Sequence, residues 1–160
     1  SNPRAFAWME GELDYLVEEY GVDLASHDTI LVLSAHSQII KCDLNLIFEY
    51  LKKYKAVFGN QIPVYRGKKI SKRYIWSHFG SSKKVNMFSN IENRYFLHNA
   101  FCFYNKQFLQ KNPMPENYPG KEDRFWAIDL VEKGFEFLYT PEISVFHHYT
   151  KNGATWKGIG

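Results

Sequence analysis

Two adjacent carboxylates, Glu122 and Asp123, stand where a loop rich in proline and glycine gives way to a helical pattern. A carboxylate so placed can take a proton from a hydroxyl group. Neighbouring carboxylates repel, which raises the pKa of one of them, while the positive end of the helix opposes that shift and keeps the base ionised near neutrality. Helix-start electrostatics alone would also account for the pair. Further on, His147-His148 closes a strand-like run. Consecutive strand residues point to opposite faces, so a single ion is within easy reach of only one of the two. His36 directly follows an apolar run in Leu33-Ser34-Ala35-His36, and the C-terminal ends of strands in open α/β sheets are the edge where ligands bind. Taken singly, each histidine is better explained by an ordinary structural role.

The elements that must position these groups can be read from hydrophobic spacing. Leu13, Leu16, Val17 and Tyr20 recur at helical intervals before Gly21, which predicts an amphipathic helix over 10–20 as the first element. The run T-I-L-V-L-S at 29–34 predicts a strand covered on both faces. Asp43 is an N-cap candidate for a helix with Leu44, Ile47, Phe48 and Leu51 on one face, and K-A-V-F-G at 55–59 reads as another buried strand. Pro63, Gly67 and a run of cations predict a long loop with a helical turn at 72–79. An aromatic, strand-like stretch follows at 95–104, and a proline-rich loop at 112–120. A helix opens at Glu122 and stops at Gly134. Two short strands then follow, at 135–139 and 143–146, divided by Pro141. Helices alternating with buried strands indicate an α/β layer architecture in one domain spanning 1–160.

Charge is distributed unevenly. The net charge is +3, yet Tyr50 to Ile91 holds ten Lys or Arg residues and no acid, leaving the remainder at −7. Such a block points to an anionic partner, with Arg66, Lys68, Lys69, Lys72 and Arg73 as its candidate contacts. A solvated cationic surface is the plainer reading. Aromatic residues reach 18% and suit both sheet cores and surfaces that stack on sugars. The two cysteines make no paired motif and are expected to be reduced thiols in a reducing compartment. No glycine-rich strand-to-helix turn marks a dinucleotide site or a P-loop.

In order along the chain come a strand ending in L-S-A-H, the segment A-V-F-G-N-Q, H-N-A, E-D-R-F-W-A, and finally G-F-E-F-L-Y-T-P-E-I-S-V-F-H-H. This succession resembles the C-terminal two-thirds of family-2 glycosyltransferases of the GT-A fold, especially those related to bacterial rhamnosyltransferases of polysaccharide biosynthesis. It covers roughly 30–150 and is most specific over 121–148. The resemblance implies a GT-A-type α/β/α sandwich with a mixed sheet, and inverting transfer from a nucleotide sugar to a glycan or lipid-linked acceptor. Asp123 then corresponds to the catalytic base and Glu122 to its companion. Ser34-Ala35-His36 occupies the place of the metal- and diphosphate-binding D-x-D, and His147 that of a histidine completing a divalent metal site. Asn99 lines the acceptor pocket, Trp126 packs behind the base, and Phe125 or Trp76 is an aromatic platform for the acceptor ring.

Two departures shape the expectations that follow. Ser34 and His36 replace the aspartates, removing oxygen ligands that Mg²⁺ or Mn²⁺ prefers, although a neutral imidazole can still serve Mn²⁺. The nucleotide-binding half is expected upstream or in a partner chain, so the chain alone should bind donor poorly. A non-catalytic glycan-binding or partner-completing half is the rival reading, and a homodimer through an open sheet edge is an expectation of the same kind. Arg66, Lys69 and Arg73 would face a lipid diphosphate or the membrane surface; the protein is expected in the cytoplasm, where the inner face of the membrane is within its reach. The acidic flanks and the lack of a recognised motif argue against a nucleic-acid partner.

Overall fold

The computed structural model describes residues 6–9, 22–23, 26–72, 74–115 and 122–148. Its strands are β1 (Phe6–Met9), β2 (Thr29–Ser34), β3 (Ser37–Lys41), β4 (Ala56–Tyr65), β5 (Lys68–Lys69), β6 (Lys84–Val85), β7 (Phe88–Ser89), β8 (Arg94–Tyr95), β9 (Phe101–Asn105) and β10 (Phe137–His148). The helices are α1 (Leu44–Leu51), α2 (Lys106–Lys111) and α3 (Glu122–Glu132), with a 3-10 segment at Tyr74–His78.

Six strands form the main path of a mixed sheet in the order β1-β2-β9-β4-β10-β3, with β5 added to β4 and β6 to β10; β7 and β8 pair separately. The continuous apolar runs explain its position between two layers. Along β2, Ile30 and Val32 face one cluster while Leu31 and Leu33 face the other. Along β9, Cys102 and Tyr104 oppose Phe101 and Phe103 in the same way. Strand alternation thus sends apolar side chains into both layers, which is why these runs carry no polar period. Ile47 of α1 seals one face. Trp76, Phe79, Phe108, Trp126 and Leu130 seal the other. Gly59 belongs to this packing, because a Cβ there would sit 2.5 Å from Cδ1 of Phe101.

The predicted β2 and α1 are present. Asp43 caps α1, its Oδ1 accepting from the backbone N–H groups of Asn45 (3.0 Å) and Leu46 (3.3 Å). The expected apolar face of α1 is only partly covered: Ile47 is fully buried, whereas Leu44 and Phe48 remain 43% and 38% exposed. α3 starts at Glu122, and Gly134 adopts φ +87° two residues beyond its end, as a glycine stop does.

Four expectations need correction. The first described element is a strand, β1, and it runs parallel to β2 with Phe6 opposite Leu31. The helix expected at 10–20 lies outside the described residues. Pro63 begins no loop but lies inside β4, where its carbonyl accepts from the N–H of Ile70 (3.0 Å). The chain then reverses tightly through Arg66 (φ 48°) and Gly67 (φ 73°) into β5, a hairpin of the type that needs two left-handed residues. Pro141 divides nothing: β10 is one strand, and its pairing with β4 steps from Thr140 opposite Gly59 to Ser144 opposite Asn60. The 95–104 stretch is broken, because 96–100 leave the ladder between β8 and β9. The helical turn expected at 72–79 is present as the 3-10 segment. Of the proline-rich loop, 116–120 lie outside the described residues. No helix among those described is long and apolar enough to cross a membrane. Neither Cys42 nor Cys102 takes part in a disulfide.

Candidate functional site

Only Ala35 and His36 separate β2 from β3, yet those strands are not neighbours in the sheet. Two residues can span little more than about 10 Å, so the sheet must curl until the C-terminal ends of β2 and β10 meet. The N–H of His148 accordingly donates to the carbonyl of His36 (2.9 Å), and that of Ser34 to the carbonyl of Ala100 (3.1 Å). The curl brings the His36 and His147 rings together, with centroids 5.2 Å apart.

His147 is 1% exposed. Its Nδ1 lies 3.0 Å from Oε1 of Gln61, an arrangement in which Nδ1 carries the proton and Nε2 the lone pair. Burial, then the neighbouring His36 and His148, push its pKa down to about 3. His98 is likewise driven well below the usual histidine value, by burial and then by His147 and Arg124. Trp76 packs against both, its ring 4.9 Å from that of His147 and 5.7 Å from that of His98. The result is a buried group of neutral imidazoles around one indole.

The adjoining residue continues the site. The backbone N–H of Asn99 donates to Oδ2 of Asp123 (2.9 Å). The Asn99 side chain is held by the Tyr104 hydroxyl and lies 3.2 Å from Sδ of Met114. Asp123 is 8% exposed at the first turn of α3. Its pKa rises to about 6: burial raises it, Arg124 and the Asn99 amide oppose this, and Glu122 adds to it. That places the carboxylate where it is largely ionised at neutral pH yet still basic. Arg124 is turned into an ion pair with Glu92 (2.9 Å), which Arg94 joins from the other side. Burial works against the charge on Glu92, but Arg124 and Arg94 prevail and hold its pKa down.

The expected site residues fall into three groups. Asp123 and Asn99 are in contact, with Glu122 half-buried beside them; His36 and His147 form a second pair. The Trp76 platform needs correction, because that ring is fully buried; Trp126, expected behind the base, is 3% exposed, stacked on Phe137 with its Nε1 donating to the carbonyl of Asn112 (2.6 Å). Both are core residues with no open ring face, as a packed interior requires. Phe125 is half-buried beneath the guanidinium of Arg94. Arg66 and Lys69 are exposed on the β4–β5 hairpin, lying over Tyr65 and Phe146 respectively; Arg73 is outside the described residues. Sequence reasoning passed over His98, Gln61 and Glu92. His98 and Gln61 lay within quoted segments, but nothing local marked them as partners of residues about fifty to ninety positions away.

For a divalent ion, the described residues offer the imidazole rings of His36 and His147. Among the described residues no group of three or more His, Cys, Asp or Glu is arranged to hold a metal. The pair thus suits only an ion that takes its remaining ligands from a bound molecule.

No protein-family model matches the chain, and neither does any curated protein sequence. Solved structures do. A197 from STIV superposes with TM-score 0.55 at 16% identity, over 85% of this chain and 68% of that one. GalNAc-T7, in a structure with UDP, GalNAc and Mn²⁺, superposes with TM-score 0.57 at 11% identity, over 91% of this chain but only 32% of its own. At such identities the likeness establishes architecture alone: a mixed α/β sheet of the GT-A fold.

Proposed function

We propose that the chain carries the acceptor-side part of an inverting sugar transfer from a nucleotide sugar, with Asp123 as the base. The observation that supports this most is the environment of Asp123. On a fold of glycosyltransferase type, one buried carboxylate is tuned to about 6 and fixed through Oδ2 by the Asn99 amide. An acceptor hydroxyl bonded to this carboxylate loses its proton as its oxygen attacks the anomeric carbon, opposite the departing diphosphate. Glu122 helps keep Asp123 basic, and Asn99 fixes which oxygen is held. His36 and His147 would hold a divalent ion, Mn²⁺ rather than Mg²⁺ given nitrogen ligands, together with diphosphate oxygens. Such an ion supplies charge to offset the leaving group. GalNAc-T7 binds UDP and Mn²⁺ on this type of fold, which is compatible with that division of labour.

The test is a screen of nucleotide sugars and glycan or lipid-linked acceptors with Mn²⁺, in parallel for the native protein and Asp123→Asn. Transfer by the native protein, lost in the variant, supports the proposal. Transfer unaffected by the substitution overturns it. One observation favours a second reading, a glycan-binding element without transfer: Ser34 and His36 bring no carboxylate to the diphosphate side. Acceptor binding without donor binding would select that reading.

A further inference from the structure

Where the β4–β10 pairing steps between Thr140 and Ser144, a cleft of about 540 Å³ opens, lined among others by Lys41, Asn60, Lys72, Ser81, Pro141 and Glu142. Asp123, His36 and His147 are not part of its lining.

Lys72 is half-buried, and its ammonium donates to Oδ1 of Asn60 (2.6 Å) and to the carbonyl of Phe79 (2.5 Å). Both acceptors are neutral. Among the described residues no carboxylate lies within ion-pair distance of Lys72. Burial lowers its pKa without any opposing counter-charge. Among the described lining residues the one acid, Glu142, is already engaged: Lys83 pairs with it at 3.0 Å, Thr140 Oγ1 lies 3.0 Å away, and the Tyr50 hydroxyl donates to it. The cleft therefore presents two lysines and one carboxylate compensated from outside.

A cation that has surrendered water for neutral acceptors gains from an incoming oxyanion, and charge-assisted hydrogen bonds are the stronger kind. The cleft is broad and open, Pro141 adds an apolar surface, and Ser81 and Asn60 add polar contacts. We propose that this cleft binds an anionic ligand the size of one sugar ring, bearing a phosphate monoester or a carboxylate, with Lys72 as its principal cation and Lys41 as its second. The proposal stands independently of the transfer reaction.

Calorimetric titration of the protein with glucose 6-phosphate, glucuronate and glucose tests it. At least one of the two anions is expected to bind, with glucose weaker by about tenfold or more. Lys72→Gln should weaken the anion by about tenfold and Lys41→Ala by about threefold. Binding of glucose 6-phosphate alone identifies a phosphate site, binding of glucuronate alone a carboxylate site, and binding of both a general oxyanion site. Failure of both anions, equal binding of glucose, or an affinity unmoved by Lys41→Ala overturns the proposal. Lys41 is exposed, so its variant decides the matter even if Lys72→Gln does not fold. The same titration on Asp123→Asn should give unchanged affinities, so this outcome stays separate from that of the transfer reaction.

Discussion

The backbone N–H of Asn99 donates to Oδ2 of Asp123 at 2.9 Å, tying the first turn of α3 to the segment that leads into β9. One residue earlier, the ring of His98 packs against Trp76, 6.2 Å from that of His147. Two neighbouring residues thus join the carboxylate to the buried imidazoles. Neither half of the site can shift without moving the same short stretch of chain.

Asp123→Asn should stabilise the protein at neutral pH. The folded pKa is raised to about 6. The stabilising contribution is therefore fully present below the unfolded value near 3.9 and is lost as pH rises through about 6. By pH 7.5 that loss approaches about 3 kcal/mol, which the amide does not incur. Urea unfolding at pH 4 and 7.5 checks this. A variant equally destabilised at both values contradicts the burial of a basic carboxylate.

His98 and His147 should act in the opposite direction. Their folded pKa values are depressed, so their contribution is complete above the unfolded value near 6.5 and is lost as pH falls, for His147 toward about 3. Each costs about 1.4 kcal/mol per pH unit within that window. Because Asp123 gains stability over part of the same range, the ring resonances are the cleaner readout. Neither ring should titrate between pH 5 and 8 by NMR; a midpoint near 6.5 for either contradicts the buried neutral cluster.

Gly59→Ala should be costly despite its small size. The new Cβ would meet Phe101 of β9 at 2.5 Å, and that ring is fully buried. Overpacking of this kind costs about 1–3 kcal/mol. A chemical denaturation midpoint equal to that of the native protein would show that Phe101 has room to move.

Arg124→Met should destabilise more than Lys133→Ala, although each removes one ion pair. Arg124 and Glu92 are 10% and 9% exposed, whereas Lys133 and Asp129 are 57% and 60% exposed. Losing a charged hydrogen bond to a buried carboxylate costs about 1.5–3 kcal/mol, less whatever Arg94 retains. An exposed i,i+4 pair contributes about 0.3–0.5 kcal/mol. Thermal unfolding of the two variants ranks them, and equal shifts contradict this account of the Glu92 centre.

The parts legible in the sequence are those where local pattern and packing agree. Thr29–Ser34 reads as a two-faced strand because both faces are apolar, and Glu122 and Gly134 bracket α3 by charge and by backbone freedom. The proline signals misled, because the structure removes the need for the missing N–H. Pro63 accepts a bond through its carbonyl inside β4, and Pro141 sits where the β10 register steps. Trp76 was expected as a platform for the acceptor ring because sequence cannot separate a buried indole from an exposed one. The pairing of His36 with His147 depends on sheet curl, a property of six strands together and invisible in any window of sequence.

Asp123 as the proton acceptor in sugar transfer is tested most directly by the pH dependence of kcat/KM. With a donor and acceptor identified, the profile should show an acid limb with an apparent pKa of about 6, and Asp123→Asn should lose roughly two to four orders of magnitude in rate with the fold intact. A flat profile between pH 5 and 7, or a variant that turns over at the native rate, would contradict it.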